Sequence, residues 1–388
     1  MKNRQALFVL VWGLSVSPAT PGAAQNAALL TDVKAPRILM VEAATGTVLL
    51  SRNPDEPFAP GSLAKLMTVE TVADALTRGE IQPDTTFRVS EHAWRSGGAP
   101  SRTTTMFAAL GTNISVLNLL TGAIVQNAND ACIVLAEGLS DTEDAFAQRM
   151  NERAAVLGLS GSRFGNATGL PSAENRMTVR DALTLAQRIQ SSYPDFFALY
   201  GQVDFEWNRI RQRNKNPLFG SVAGVDGFAA GYADGAGFGL VATAMRGETR
   251  LFLAMSGLAS ERERLEEASR LIDWGFDGFV SMRAYAAGDI AGEAEVYGGD
   301  AAKVALAPLG DIHVYAPTAE TGRLSAEIEY RGPIRAPVEK GREIGLLKVK
   351  VGETVLQEAP VYTAESVEQG SLASRAGAAL WALVFFWR

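Results

Sequence analysis

Two histidines and a single cysteine in 388 residues leave little from which to build a zinc centre. His92 and His313 lie far apart in sequence, so a His/Cys zinc cluster is not expected, and neither is any other metal or cofactor. Cys132 has no partner for a disulfide within the chain. In the apolar run Ala131-Cys132-Ile133-Val134-Leu135 it reads as a small core residue. A nucleophile–histidine–carboxylate triad would have to use one of the two histidines. Lysine is scarce as well, with eight against 28 arginines. A net charge of −7 argues against nucleic-acid binding. The alternating Arg209, Arg211, Arg213 and Lys215 therefore read as one strand face turned to water or to anionic peptides.

The two ends of the chain carry clear patterns. Residues 1–24 have a basic start (Lys2, Arg4), an apolar run from Ala6 to Val16 and the small-residue end Pro21-Gly22-Ala23-Ala24, the layout of a cleaved secretory signal. The apolar run is too short to span a bilayer. At the other end, Ala376 to Trp387 is uncharged and mostly apolar, and it carries Trp381 and Trp387. As a helix it is also too short to cross, so residues 366–388 read as a linker and a membrane-surface anchor.

Between the ends the texture changes once. Residues 25–280 mix strand and helix signals: a hairpin from Arg37 to Ser51, a helix from Leu63 to Leu76, two helices within Ser115 to Gly138, and another from Val179 opened by Thr178. A second hairpin pairs Leu240–Met245 with Arg250–Ser256, and a last helix runs from Glu261 to Gly275. Helices packed on an antiparallel sheet fit this order. Residues 281–365 carry short strand candidates at Lys303–Leu306, Ile312–Tyr315, Leu324–Tyr330 and Ile344–Val351, which suggests a small all-β domain. His313 falls inside one of these strands and reads as structural.

With histidine so scarce, a hydrolase needs another base, and Ser62-Leu63-Ala64-Lys65 offers one. Pro60-Gly61 break the preceding chain, which places Ser62 at a helix start and Lys65 one turn on, on the same side. Lys65 stands among Leu63, Leu66 and Met67, and burial there would lower its pKa until the neutral amine could take the serine proton. The plain alternative has Ser62 capping the helix and Lys65 reaching to water. The motif alone does not choose between them.

Its surroundings do. Ile38 to Thr68, Val89-Ser90-Glu91-His92-Ala93-Trp94, Asn129-Asp130-Ala131-Cys132, Asn166-Ala167-Thr168-Gly169-Leu170-Pro171, Arg211-Gln212-Arg213-Asn214 and Val225-Asp226-Gly227 occur in this order. With Ala336-Pro337-Val338 and Lys340-Gly341 in the β domain, the chain resembles the exported serine D-alanyl-D-alanine carboxypeptidases, the low-molecular-mass penicillin-binding proteins.

The resemblance implies an α/β (α+β) domain of the penicillin-binding transpeptidase/beta-lactamase type, with helices around an antiparallel sheet, followed by a small all-β domain. It makes Ser62 the acylated nucleophile, Lys65 its base and Asn129 a partner of the substrate amide. The family's Ser-x-Asn reads Asn127-Ala128-Asn129 here, so an amide stands in place of a proton-relaying hydroxyl. Its Lys-Thr-Gly reads Ala229-Ala230-Gly231, without the cation and hydroxyl that would hold a terminal carboxylate. Gly231 is then expected to admit the substrate backbone. Arg264 resembles an arginine that helps place the carboxylate, or else lies on a solvated helix face, and Lys215 is a candidate replacement cation.

The expected activity is removal of the terminal D-Ala from peptidoglycan stem peptides through an acyl-serine. Beta-lactams would be covalent inhibitors, and the setting is periplasmic, at the outer face of the inner membrane. The altered motifs keep a second reading open, that of a catalytically impaired or inactive homologue that binds cell wall or a protein.

Overall fold

In the computed structural model, which describes residues 7–13 and 32–372, alternating apolar residues build one central antiparallel sheet. Strands β1 (Arg37–Glu42) and β2 (Val48–Arg52) form the first hairpin. Strands β3 (Asp204–Trp207) and β4 (Ile210–Arg213) pair separately. Strands β5 (Val225–Ala233), β6 (Gly237–Arg246) and β7 (Thr249–Leu258) complete the sheet in the order β2-β1-β7-β6-β5. Strand β5 is therefore an edge.

The period-two alternation of β1 and β7 sends side chains to opposite faces. Leu39, Val41, Phe252 and Ala254 join the large helical core on one side. On the other, Met40, Leu49 and Leu251 meet Gly275 of the last helix of this unit, Glu261–Asp277. The helices on the larger side are α1 (Lys65–Thr77), α2 (Glu91–Ser96), α3 (Val116–Val125), α4 (Asn129–Ser140), α5 (Glu143–Val156) and α6 (Val179–Ser192). Thr178 caps α6 by accepting from Asp181 N, as its sequence implies.

The expected basic stripe is broken up. Arg209 stands in the β3–β4 turn with φ 63°, Lys215 lies beyond β4, and Arg211 is paired with Asp204. A two-residue turn at Asn208-Arg209 ends the alternation that would have kept these cations on one face.

The described residues divide into two compact units, one of 32–44 with 48–276 and one of 7–13, 45–47 and 277–372. The second is all-β. Strands Gly292–Tyr297, Lys303–Ala307, Leu324–Arg331, Glu343–Val351 and Thr354–Thr363 make most of one sheet, around buried Val304, Leu306, Leu347, Val349 and Val361. His313 lies in Ile312–Pro317, which pairs with Phe279–Tyr285. Of the expected signal segment, Leu7–Gly13 forms a strand antiparallel to Ser325–Arg331, and 1–6 and 14–24 lie outside the described residues. The expected anchor, Ala376 to Trp387, lies outside them too. No helix among the described residues is long and apolar enough to cross a membrane.

Candidate active site

Ser62 and Lys65 meet, as one turn of helix between them allows. The chain from Gly61 to Ala64 winds as a 3-10 turn that runs straight into α1, anchored by buried Leu63, Leu66 and Met67. Lys65 Nζ donates to Ser62 Oγ at 3.0 Å and to Thr168 O at 2.8 Å. Lys65 is 3% exposed, and burial pushes its ammonium down to about 8. Among the described residues it has no carboxylate partner to hold the charge. A buried amine of this kind exchanges its proton near neutrality, as a general base must.

The carbonyl that receives Lys65 belongs to a tightly tied turn. Asn166 Oδ1 accepts from Thr168 N at 3.2 Å, Thr168 Oγ1 at 3.1 Å and Gly169 N at 2.7 Å. Thr68 Oγ1 donates to Ala167 O at 2.6 Å. Gly169 has φ 78°, and a Cβ there would overlap the Gly61 carbonyl, so only glycine lets the turn close on the nucleophile's loop.

Asn129 opens α4. Its N–H donates to Thr104 O at 2.8 Å and its Nδ2 to Thr103 Oγ1 at 3.0 Å, while its buried Oδ1 has no partner among the described residues. Asp130 beside it is fully buried and accepts from Thr105 Oγ1, Met106 N and Ala108 N, pinning the 105–108 loop against α4. Asn127 adopts φ 60° and its Nδ2 donates to Ala230 O at 3.4 Å, which ties the α3–α4 loop to the edge strand β5.

That contact orients β5. With the Ala230 carbonyl turned to the α3–α4 loop, Tyr232, two residues on, presents its own N–H and C=O on the same side. There the Tyr232 backbone lies against Gly61, where an added Cβ would overlap its carbonyl. A Cβ at Gly231 would meet Pro60 O at 2.9 Å and Leu63 N at 3.1 Å. Gly231 thus admits the nucleophile's own turn.

Arg264 is not on a solvated face. It is 6% exposed, its Nη1 donates to Gly231 O at 3.2 Å and Gly239 O at 3.4 Å, and burial lowers its pKa. Its contacts hold the strands that carry Gly231. Lys215 is exposed, and its backbone N–H donates to Val125 O at 3.0 Å, two residues before Asn127. Cys132 is buried within α4, and burial pushes its thiol up to about 12, so it stays neutral.

The sequence points to Ser62, Lys65, Asn127 and Asn129; the structure joins Lys65 to Ser62 and Asn127 to Ala230 of β5, while Asn129 meets Thr103 and Thr104. The sequence does not point to Thr103, the Thr168 carbonyl or the Tyr232 backbone. The segment Asn166 to Pro171 carries part of the family resemblance, but a carbonyl acceptor has no side-chain signature.

Both parts of the chain match families of known proteins. Residues 22–258 match the D-alanyl-D-alanine carboxypeptidase family, and residues 279–369 match the C-terminal domain of penicillin-binding protein 5. The D-alanyl-D-alanine carboxypeptidase DacC of Escherichia coli (strain K12) is 31% identical over 359 residues, covering 92% of this chain and 90% of that protein. The carboxypeptidase DacA of Haemophilus influenzae is 31% identical over 317 residues, covering 81% of this chain and 80% of its own. Among solved structures, penicillin-binding protein 5 from Haemophilus influenzae gives a TM-score of 0.74 at 28% identity, over 92% of this chain and 100% of that one. Penicillin-binding protein D2 from Listeria monocytogenes in its ampicillin-bound form gives 0.56 at 26% identity, over 62% of this chain and 97% of that one.

Proposed function

The chain belongs to the D-alanyl-D-alanine carboxypeptidase family, and from this premise we propose that Ser62 and Lys65 remove the terminal D-Ala from peptidoglycan stem peptides. The observation that carries the reading is the 3.0 Å contact between Ser62 Oγ and a buried Lys65 Nζ. As Ser62 Oγ attacks the penultimate D-Ala carbonyl, the Lys65 amine takes its proton. The Ser62 N–H, in the first turn of its helix, and the Tyr232 N–H stabilise the oxyanion. The C–N bond breaks, D-Ala leaves as the amine with a proton, and water hydrolyses the ester to release the shortened peptide. The orphan Oδ1 of Asn129 accepts a substrate amide N–H. A beta-lactam acylates Ser62 by the same attack on its ring amide.

Asn127 can donate and accept hydrogen bonds but relays protons poorly, which slows protonation of the leaving amine. Ala229 and Ala230 offer the substrate carboxylate no charge-assisted bond, a loss of about 1.5–3 kcal/mol in binding. Both changes lower the rate without removing the nucleophile or its base. A non-catalytic binding module would have no use for a buried amine held on a serine, so the enzyme reading is preferred. The signal pattern in residues 1–24 and the apolar Ala376 to Trp387 support export and attachment to the outer face of the inner membrane. Membrane fractionation of the full chain, with and without residues 373–388, tests the attachment. Release of D-Ala from a stem pentapeptide, abolished in Ser62→Ala, tests the activity. Release that persists in Ser62→Ala would overturn it.

A further inference from the structure

We infer that Glu143 is a positioning residue for Lys65 and acts through the backbone of Ala167 and Thr168. The inference rests on the reading of Lys65 as the base. Glu143 begins α5, where Thr142 caps the helix by accepting from Ala145 N at 3.1 Å. Its side chain is only 17% exposed, and Oε1 turns away from the helix to accept from Ala167 N at 3.1 Å. Its other oxygen, Oε2, lies 3.3 Å from His92 Nε2 on α2, and His92 Nδ1 is 3.2 Å from Ser96 Oγ. Both oxygens are thus engaged, and the carboxylate is fixed between two helices and the 166–169 turn.

The position of that turn decides where Lys65 Nζ sits. Two of its carbonyls face α1: Ala167 O receives Thr68 Oγ1, and Thr168 O receives Lys65 Nζ. Both partners lie on the same helix, so these bonds let the turn and α1 move together. Glu143 supplies an anchor outside α1, on a buried N–H that has no other partner among the described residues. With that anchor the acceptor at Thr168 is held independently of the lysine it receives, and Nζ is aimed at Ser62 Oγ. Without it the Ala167 N–H is left unsatisfied in the core, and the turn must shift to find a partner.

The test compares the full-length protein with Glu143→Ala and Glu143→Gln. The glutamine keeps an oxygen that can accept from Ala167 N and loses the charge. Two readouts are followed. One is the titration midpoint of Lys65 from its 13C-labelled ε-carbon, identified by subtraction of Lys65→Arg. The other is acylation by a fluorescent penicillin, resolved into the rate constant and the preceding binding constant. A carbonyl acceptor favours the ammonium over the amine, so loosening it in Glu143→Ala moves the Lys65 midpoint to lower pH. The acylation rate constant falls about 10- to 30-fold with binding unchanged within about twofold, and Glu143→Gln recovers both to within about threefold of wild type. A merely structural Glu143 would lower thermal stability in the alanine variant and leave the midpoint and the rate constant of the folded protein where they were. That result, or a glutamine variant no better than alanine, overturns the inference. Wild type that no penicillin labels would instead overturn the reading of Ser62, and the Lys65 midpoint would still decide the role of Glu143.

Discussion

Raising the pH should switch on acylation of Ser62 with a midpoint near that of Lys65. Burial brings Lys65 from 10.5 to about 8. At pH 7 about one molecule in ten then carries the neutral amine, against about one in three thousand for an unperturbed lysine. The same burial sets a stability profile. The folded state binds this proton less tightly than the unfolded chain, so between about pH 8 and pH 10.5 the unfolded state holds more protons and stability rises with pH. The difference amounts to about 3 kcal/mol, fully opposing the fold below pH 8 and relieved above about pH 10.5. Lys65→Met removes the buried charge, along with the bonds to Ser62 and Thr168, which offset about 1 kcal/mol. The variant should therefore be more stable than wild type at pH 7 by about 1–3 kcal/mol, lose that advantage near pH 10.5, and never acylate. Denaturant unfolding at several pH values reads the first effect. Initial labelling rates with a fluorescent penicillin from pH 6 to 9.5 read the second. A labelling rate that is flat across this range, or a methionine variant less stable than wild type at pH 7, would refute the reasoning.

Three further outcomes follow from individual contacts. Asn127→Ser replaces a poor proton shuttle by a hydroxyl and should raise turnover about 10-fold or more, measured as D-Ala release at saturating peptide. The double change Ala229→Lys with Ala230→Thr should tighten binding of a peptide ending in a free carboxylate by about 10- to 150-fold, with little effect on its C-terminal amide. Gly169→Ala forces an L side chain into φ 78° and onto the Gly61 carbonyl, so it should destabilise the domain by more than about 1 kcal/mol and slow Ser62 labelling in the fraction that remains folded.

Much of this fold can be read from local patterns, and its gaps have physical causes. The β1–β2 hairpin and α6 announce themselves by alternation and by a capping threonine. Helix α5 is harder to read: Phe146, Ala147, Met150 and Ala154 recur at helical spacing after the cap at Thr142, and all four are buried. Its many charged positions hid a narrow apolar stripe. The stripe from Arg209 to Lys215 failed for the opposite reason, because alternation in sequence says nothing of where a turn will interrupt it. At the site, Ser62 and Lys65 are readable because one helical turn puts them on the same side and the surrounding segments resemble the family. Asn129 followed from the family resemblance. Thr168 and Tyr232 come to Lys65 and Gly61 through backbone groups that every residue possesses, and only the folded chain shows which of them converge. Arg264 was undecided in sequence because its helix neighbours are acidic, and the structure settles its place by turning the side chain inward onto Gly231 and Gly239.

The most direct test of the account is the site of covalent modification by a beta-lactam. Purified protein is incubated with a labelled penicillin at pH 8, digested, and the adduct mapped by mass spectrometry. A single stoichiometric adduct on Ser62 is expected, absent from Ser62→Ala and from Lys65→Met. Folded wild-type protein that remains unlabelled, or a label on any residue other than Ser62, would contradict it.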